Sequence, residues 1–239
     1  MSIKALNVFI AAIFAVLLGV CSISFAQKPA VNNSKEGKIV SFSNFIYTDI
    51  GAATKPGNGT INKDELKIVA GGSDIWGFHD EFHFGYKKLK GDFDLSVRII
   101  SLSAADRYTK AGIMARTDLS DSSQHVYFQV FPDNNPRNKN NGGCEFQYRS
   151  LKAGEMKAIY PNPMTAGNQF NVAFPNTWIR LIRRGDVFES YFSSDSKTWR
   201  IYSSFMLKMQ RELLVGLAVT AHNSTGYTSA KFASVRLKK

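Results

Sequence analysis

Residues 71–96 read GGSDIWGFHDEFHFGYKKLKGDFDLS, and the pattern inside this stretch decides the fold. Its second half places Phe93, Leu95, Val97 and Ile99 in alternation with Asp92, Asp94, Ser96 and Arg98. A period of two is the mark of a strand with one buried and one wet face. In the first half Phe82 and Phe84 share a face, while Glu81, His83 and Gly85 take the other. The stretch therefore reads as a Gly-rich turn, a Trp-centred corner at Trp76, a strand, a short basic connection at residues 87–90 and a second strand. The two strands, hinged at Gly91, ask for a partner sheet to cover their apolar face.

Working outward, the remaining chain supplies further segments of the same kind. Residues 110–116 (KAGIMAR), 125–131 (HVYFQVF) and 144–150 are short apolar or alternating runs separated by polar loops. Residues 177–184, 187–193 and 199–205 read as a meander with turns at Gly185-Asp186 and at 194–197. The run LLVGLAVT at 213–220 is the most hydrophobic, and both of its faces are small or apolar, as befits the central strand of a sheet. Residues 229–237 close the pattern with Ala230, Phe232, Ser234 and Arg236 on one face. No helical period and no long repeat appears, so the fold class is an all-β sandwich of about a dozen strands. Two loops stand out by composition: residues 132–143, rich in Asn, Gly and Pro, and residues 161–176, with three prolines.

Upstream, residues 1–26 carry a signal peptide: Lys4, an apolar run and a small-x-small cleavage site at Ser24-Phe25-Ala26. Residues 27–38 form a polar, flexible leader, and residues 39–239 a single domain, exported to the periplasm or the extracellular space. Cys21 leaves with the signal, so Cys144 has no disulfide partner and is expected as a buried strand thiol. The formal net charge of +11 suits acidic partners or solubility, but its basic residues are scattered along the chain. Export argues against nucleic acid, and no membrane contact is expected beyond the signal.

The string SDIWGFHDEFHFGYKKLKGDF (73–93) resembles the signature of a family of unknown function in the concanavalin A-like lectin/glucanase superfamily, the regulation-of-enolase-protein-like jelly-roll domains. KAGIMAR, SSQHVYFQVFP (122–132), FQYR (146–149), WIRLIRRGDVFESYFSSDSKTW (178–199) and VGLAVTAHN (215–223) match in order, so the resemblance covers about residues 49–237. It implies a jelly roll of two antiparallel sheets, one concave, and the company such domains keep with carbohydrate-active enzymes implies glycan binding. The chain departs from the pattern at Ser196, where the family has glycine, and at Tyr108-Thr109, where a Trp is common.

The chemistry-bearing residues favour binding over catalysis. Jelly-roll glucanases use carboxylates spaced as Glu-x-Asp-x-x-Glu on one strand face, and no such string occurs. The same-face acids Asp92 and Asp94 read as the wet side of a strand. His79, His83, His125 and His222 lack metal-ligand spacing, so no cofactor is implied. Calcium, if bound, would fall on the oxygen-rich loops 118–121 or 133–135. The expected ligand-binding residues are the outward ones of the presumed concave sheet: Arg98, Arg116, His125, Gln129, Gln147 and Arg149. Multi-donor Arg and Gln side chains suit sugar hydroxyls and uronate carboxylates. The alternative for these arginines is cross-strand pairing with Asp92, Asp94 or Glu145. Together these features point to a secreted, non-catalytic carbohydrate-binding or accessory domain with a polar concave face, acidic sugars being one option among its carbohydrate ligands. A glycoside hydrolase and a cell-surface interaction module are the competing readings.

Overall fold

The computed structural model describes residues 37–137, 142–160 and 171–239. The expected signal peptide and all but the last two residues of the expected leader lie outside the described residues, as do parts of both long loops. Alternation gives strands throughout: β1 (Lys38–Ile39), β2 (Ile46–Ile50), β3 (Asn58–Asn62), β4 (Glu65–Ala70), β5 (Ile75–Trp76), β6 (His79–Asp80), β7 (Phe82–Lys90), β8 (Phe93–Leu102) and β9 (Lys110–Arg116). The chain continues through β10 (His125–Val130), β11 (Cys144–Arg149), β12 (Met156–Ile159), β13 (Thr177–Arg184), β14 (Val187–Ser193), β15 (Arg200–Met206), β16 (Glu212–Thr220) and β17 (Thr228–Lys238). Among the described residues the helical content is one 3-10 turn at Phe42–Asn44, and no helix is long and apolar enough to cross a membrane.

Two antiparallel sheets make a jelly-roll sandwich. One is eight-stranded in the order β15-β14-β13-β8-β17-β4-β3, with β1 added on β17; the other is seven-stranded in the order β12-β11-β10-β9-β16-β7-β2. Their inner faces meet in one core that includes Leu95, Val97, Ile113, Phe128, Ile179, Leu181, Leu217 and Phe232. β16 is interior and buried on both faces as its sequence predicts, although the middle place in its sheet belongs to β9, whose seven residues are all buried. Cys144 is buried in the core, and that burial pushes its thiol up to about 12.

The organising stretch differs from its reading in two ways. β7 runs through Lys90, so residues 87–90 are strand and not connection. β7 and β8 also do not pair. Gly91, at φ 84°, turns the chain from the seven-stranded sheet into the eight-stranded one, so the two strands belong to facing sheets. Sequence alternation cannot distinguish a hairpin from a crossing between layers, since both begin with a tight turn.

Phe82, Phe84 and Tyr86 do not enter the inter-sheet core. They point to the outer side of the seven-stranded sheet and join Ile50, Ile75, Met114, Tyr127, Met156, Leu214 and Ala218 in a second, smaller cluster. The β5–β6 hairpin lies over it, held by Asp80 N–H to Asp121 O (2.9 Å) and Met156 N–H to Gly77 O (2.9 Å). Two further features escape the period: a bulge in β17, where Ser234 takes φ 53°, and Ser196 at φ 61°, the left-handed place that the family fills with glycine. The last leader residue, Lys38, pairs with Leu237 and is strand.

Candidate functional site

Cross-strand register stacks the outer side of the seven-stranded sheet into layers. One layer sets Leu214, Arg116, His125, Arg149 and Met156 side by side; the next sets Met114, Tyr127 and Gln147; a third sets Ala218, Gly112, Gln129 and Glu145. The first layer is where three of the six expected binding residues fall, and it is closed. Arg116, His125 and Arg149 are each 0 % exposed. The hairpin delivers Asp80 into their midst, also fully buried.

Asp80 accepts a bidentate pair from Arg149, Nη1 to Oδ2 at 2.7 Å and Nη2 to Oδ1 at 2.8 Å. Arg116 Nη2 stands 3.9 Å and His125 Nδ1 3.6 Å from Oδ2. Arg149 also donates to the carbonyls of Gly154, Ser123 and Gly77, and Arg116 to that of Ser120. Burial lowers the Arg116 pKa to about 10 and that of His125 to about 4, so the guanidinium stays charged and the imidazole neutral near pH 7. This cluster cross-links three loops and the sheet, out of reach of a ligand. The acid that pairs the arginines is neither Asp92, Asp94 nor Glu145 but one from the hairpin, a contact that strand alternation cannot foresee.

Arg98 lies elsewhere, on β8 in the opposite sheet, where it donates to Pro175 O (2.8 Å) and Asn176 Oδ1 (3.1 Å). Asp94 is committed to Arg180. The oxygen-rich loops are also committed: Asp118 to Ser120 and Lys152, Asp133 to Asn135 and Arg137. No cluster of His, Cys, Asp or Glu able to hold a metal ion occurs among the described residues.

The open space lies one end further along, beyond the third layer. A cleft of about 180 Å³ is bounded by Asp74 and Trp76 from the hairpin, Tyr108 and Lys110 at the start of β9, Glu145 and Gln147 on β11, and His222 after β16. Ile75, fully buried, anchors the hairpin in the small cluster, and the alternation of an extended pair leaves Trp76 at the surface, 38 % exposed. Lys110 Nζ sits 6.0 Å above the Trp76 ring and ion-pairs with Asp74. His222 bridges two acids, Nε2 to Asp74 Oδ2 at 3.2 Å and Nδ1 to Asp106 Oδ1 at 3.0 Å.

The two carboxyls of the cleft are tuned apart. Burial pushes Asp74 up, but Lys110 and the bonds from His222 and Lys110 outweigh it and hold the group below its usual range. Burial raises Glu145. His222 is raised, chiefly by its bond to Asp74. At the floor, Gln147 donates through Nε2 to Glu145 while its Oε1 has no partner, and neither amide atom of the neighbouring Gln129 has one among the described residues. A buried amide oxygen without a partner at the floor of an open cleft, with a second unmet amide on the next strand, is an unmet hydrogen-bonding capacity. Gln147 is thus the expected residue brought to this place, with Gln129 buried opposite Glu145 on the neighbouring strand. Asp74, Trp76, Tyr108, Lys110, Glu145 and His222 were not among those expected, although DIWG (74–77) had singled out the corner. A second cleft of about 270 Å³, lined by Thr177, Phe192, Ser193 and Arg200 among others, has no solvent-open aromatic ring among the described residues.

Comparison with known proteins agrees with the fold. A crystal structure of a functionally unknown protein from Saccharomyces cerevisiae superposes with a TM-score of 0.63 at 17% identity, covering 83% of this chain and 98% of that one. The GH43 BlXynB protein from Bacillus licheniformis superposes at 0.51 with 12% identity, over 80% of this chain and 38% of that longer one. The carbohydrate binding module CBM66 from Bacillus subtilis gives 0.49 at 15% identity, over 81% and 95%. No curated protein matches the sequence. Residues 87–238, from late β7 to the end of β17, match the family described as "Protein of unknown function (DUF1583) C domain", and the chain belongs to that family.

Proposed function

We propose that this protein is an exported, non-catalytic carbohydrate-binding protein, and that its ligand is a hydroxyl-rich sugar unit held in the cleft between the β5–β6 hairpin and β11. The observation that carries this reading is the pairing of a solvent-open Trp76 ring with the buried, unmet amide oxygen of Gln147 in one cleft, backed by the unmet amide of Gln129 opposite Glu145. An indole face covers the apolar side of a pyranose, while an amide offers a donor and an acceptor to adjacent hydroxyls. The cations of the cleft, Lys110 and His222, are already paired with Asp74 and Asp106, so neither is left to hold a uronate, and a neutral sugar fits this cleft better than an acidic one.

The test is titration calorimetry of the full chain with neutral xylo-, manno- and cello-oligosaccharides. Gln147→Leu should weaken the best of these about tenfold or more, since a sugar hydroxyl then loses its partner, while the lost bond to Glu145 lowers the melting temperature only slightly and leaves the protein folded. Binding to none of the neutral series, or equal binding by Gln147→Leu, would exclude this cleft as the sugar site.

Glycoside hydrolysis is the second reading, and the divergent tuning of Asp74 and Glu145 favours it: one carboxyl is held anionic and one pushed toward the protonated form. Against it, the Asp74 oxygens already accept from Ile75 N–H, Lys110 and His222, which leaves a weak nucleophile or base. Release of reducing ends by the parent and its loss in Glu145→Gln would establish hydrolysis in place of simple binding.

A further inference from the structure

The basic residues that look scattered in the sequence are gathered by the eight-stranded sheet. Its inner face holds Leu66, Ile68, Leu95 and Ile99, so Glu65, Lys67, Asp94, Ser96 and Arg98 point outward. Register then lays one row of outward side chains across four strands: Thr60 on β3, Lys67 on β4, Lys231 on β17 and Ser101 on β8. Lys67 and Lys231 stand directly opposite each other, both exposed. Neighbouring side chains in an antiparallel ladder are about 5 Å apart at Cβ, and like charges there repel.

The rest of this face does little to offset that repulsion. Asp94 is taken by Arg180 and Glu189 by Arg184, which leaves Glu65, two residues along β4, as the nearest outward acid. Arg98 and Arg236 lie on the same side, Arg236 with its guanidinium 5.0 Å from the Trp178 ring centre. A pair of ammonium groups held opposite each other between two hydroxyl side chains is a seat for an anionic group on a hydroxyl-bearing chain.

We propose that this outer face binds an acidic polysaccharide, with Lys67 and Lys231 sharing a carboxylate and Thr60 and Ser101 bonding neighbouring hydroxyls. Single-stranded nucleic acid fits less well, because base stacking needs open aromatic rings and Trp178 is only 8 % exposed, beneath Arg236. A lipid surface fits less well, because the row offers no apolar side chain to insert. The surface lies on the opposite sheet from the cleft and does not depend on the reading given for it.

The experiment measures retention of the full chain by soluble polygalacturonate, with dextran, duplex DNA and anionic phospholipid vesicles as comparators, at low and high salt. Binding to polygalacturonate should weaken as salt rises, since the contact is between exposed charges. Lys67→Glu should lose tenfold or more in affinity while melting slightly higher, because it turns a repelling pair into an attracting one. Those opposite directions separate lost binding from lost folding. Trp76→Ala, which removes the cleft's aromatic ring, should leave polygalacturonate binding unchanged. Retention untouched by Lys67→Glu, or no retention of the parent, overturns the proposal, and tighter binding to DNA or vesicles than to polygalacturonate overturns the assigned partner.

Discussion

Asp80 shows how much one residue can decide. It arrives on a two-residue strand, yet it brings the buried carboxylate that faces two guanidinium groups in a closed interior. Removing Arg149 takes both charge-assisted hydrogen bonds from the buried Asp80 carboxylate and the donor from the carbonyls of Gly154, Ser123 and Gly77. Breaking a buried pair of this kind costs about 3–5 kcal/mol. Arg149→Ala should therefore lower the melting temperature by roughly 6–20 °C, given about 2–4 °C per kcal/mol for a domain of this size, and chemical denaturation can check it. Sugar binding by whatever Arg149→Ala protein remains folded should be intact, because the side chain does not reach the cleft. A variant that melts normally but binds poorly would return Arg149 to the ligand.

At the scale of elements, β16 carries the clearest test of the sandwich. Leu217 faces the inter-sheet core at 0 % exposure, so Leu217→Asp should yield no soluble folded protein, as an unpaired buried charge costs several kcal/mol. A soluble Leu217→Asp variant with a normal thermal transition would contradict the packing. The same strand shows what was legible: period and hydrophobicity sufficed for β8, β9, β13 and β16, because in each a full face is apolar. They failed at the β5–β6 hairpin, whose role depends on contacts with residues far along the chain. Arg116, His125 and Arg149 were rightly placed on one face of one sheet. That face was covered by the hairpin, and no local pattern reports a cover. Gln147, one layer further out, escapes it and comes to the cleft, whereas His222 and Tyr108 sit in loops that strand alternation does not describe.

For the whole molecule, two histidines set opposing pH limits. His125 is buried neutral with a pKa near 4, below its usual 6.5, so the unfolded chain binds its proton first and stability falls as pH drops through that window. His222 is raised by Asp74, so its contribution is full below about 6.5 and fades as pH climbs past the raised value. Melting temperature should thus peak near pH 6–7; His125→Asn should flatten the acid limb and His222→Asn the alkaline one, and a profile unchanged by either would refute these assignments. The larger claim is that a sandwich with one closed and one open patch on its seven-stranded sheet uses the open one to hold a sugar. A glycan-array comparison of the full chain with its Trp76→Ala variant addresses this most directly. The expected result is a defined set of neutral glycans retained by the parent and lost by the variant at an unchanged melting temperature; retention of the same set by Trp76→Ala, or of no glycan by the parent, would contradict it.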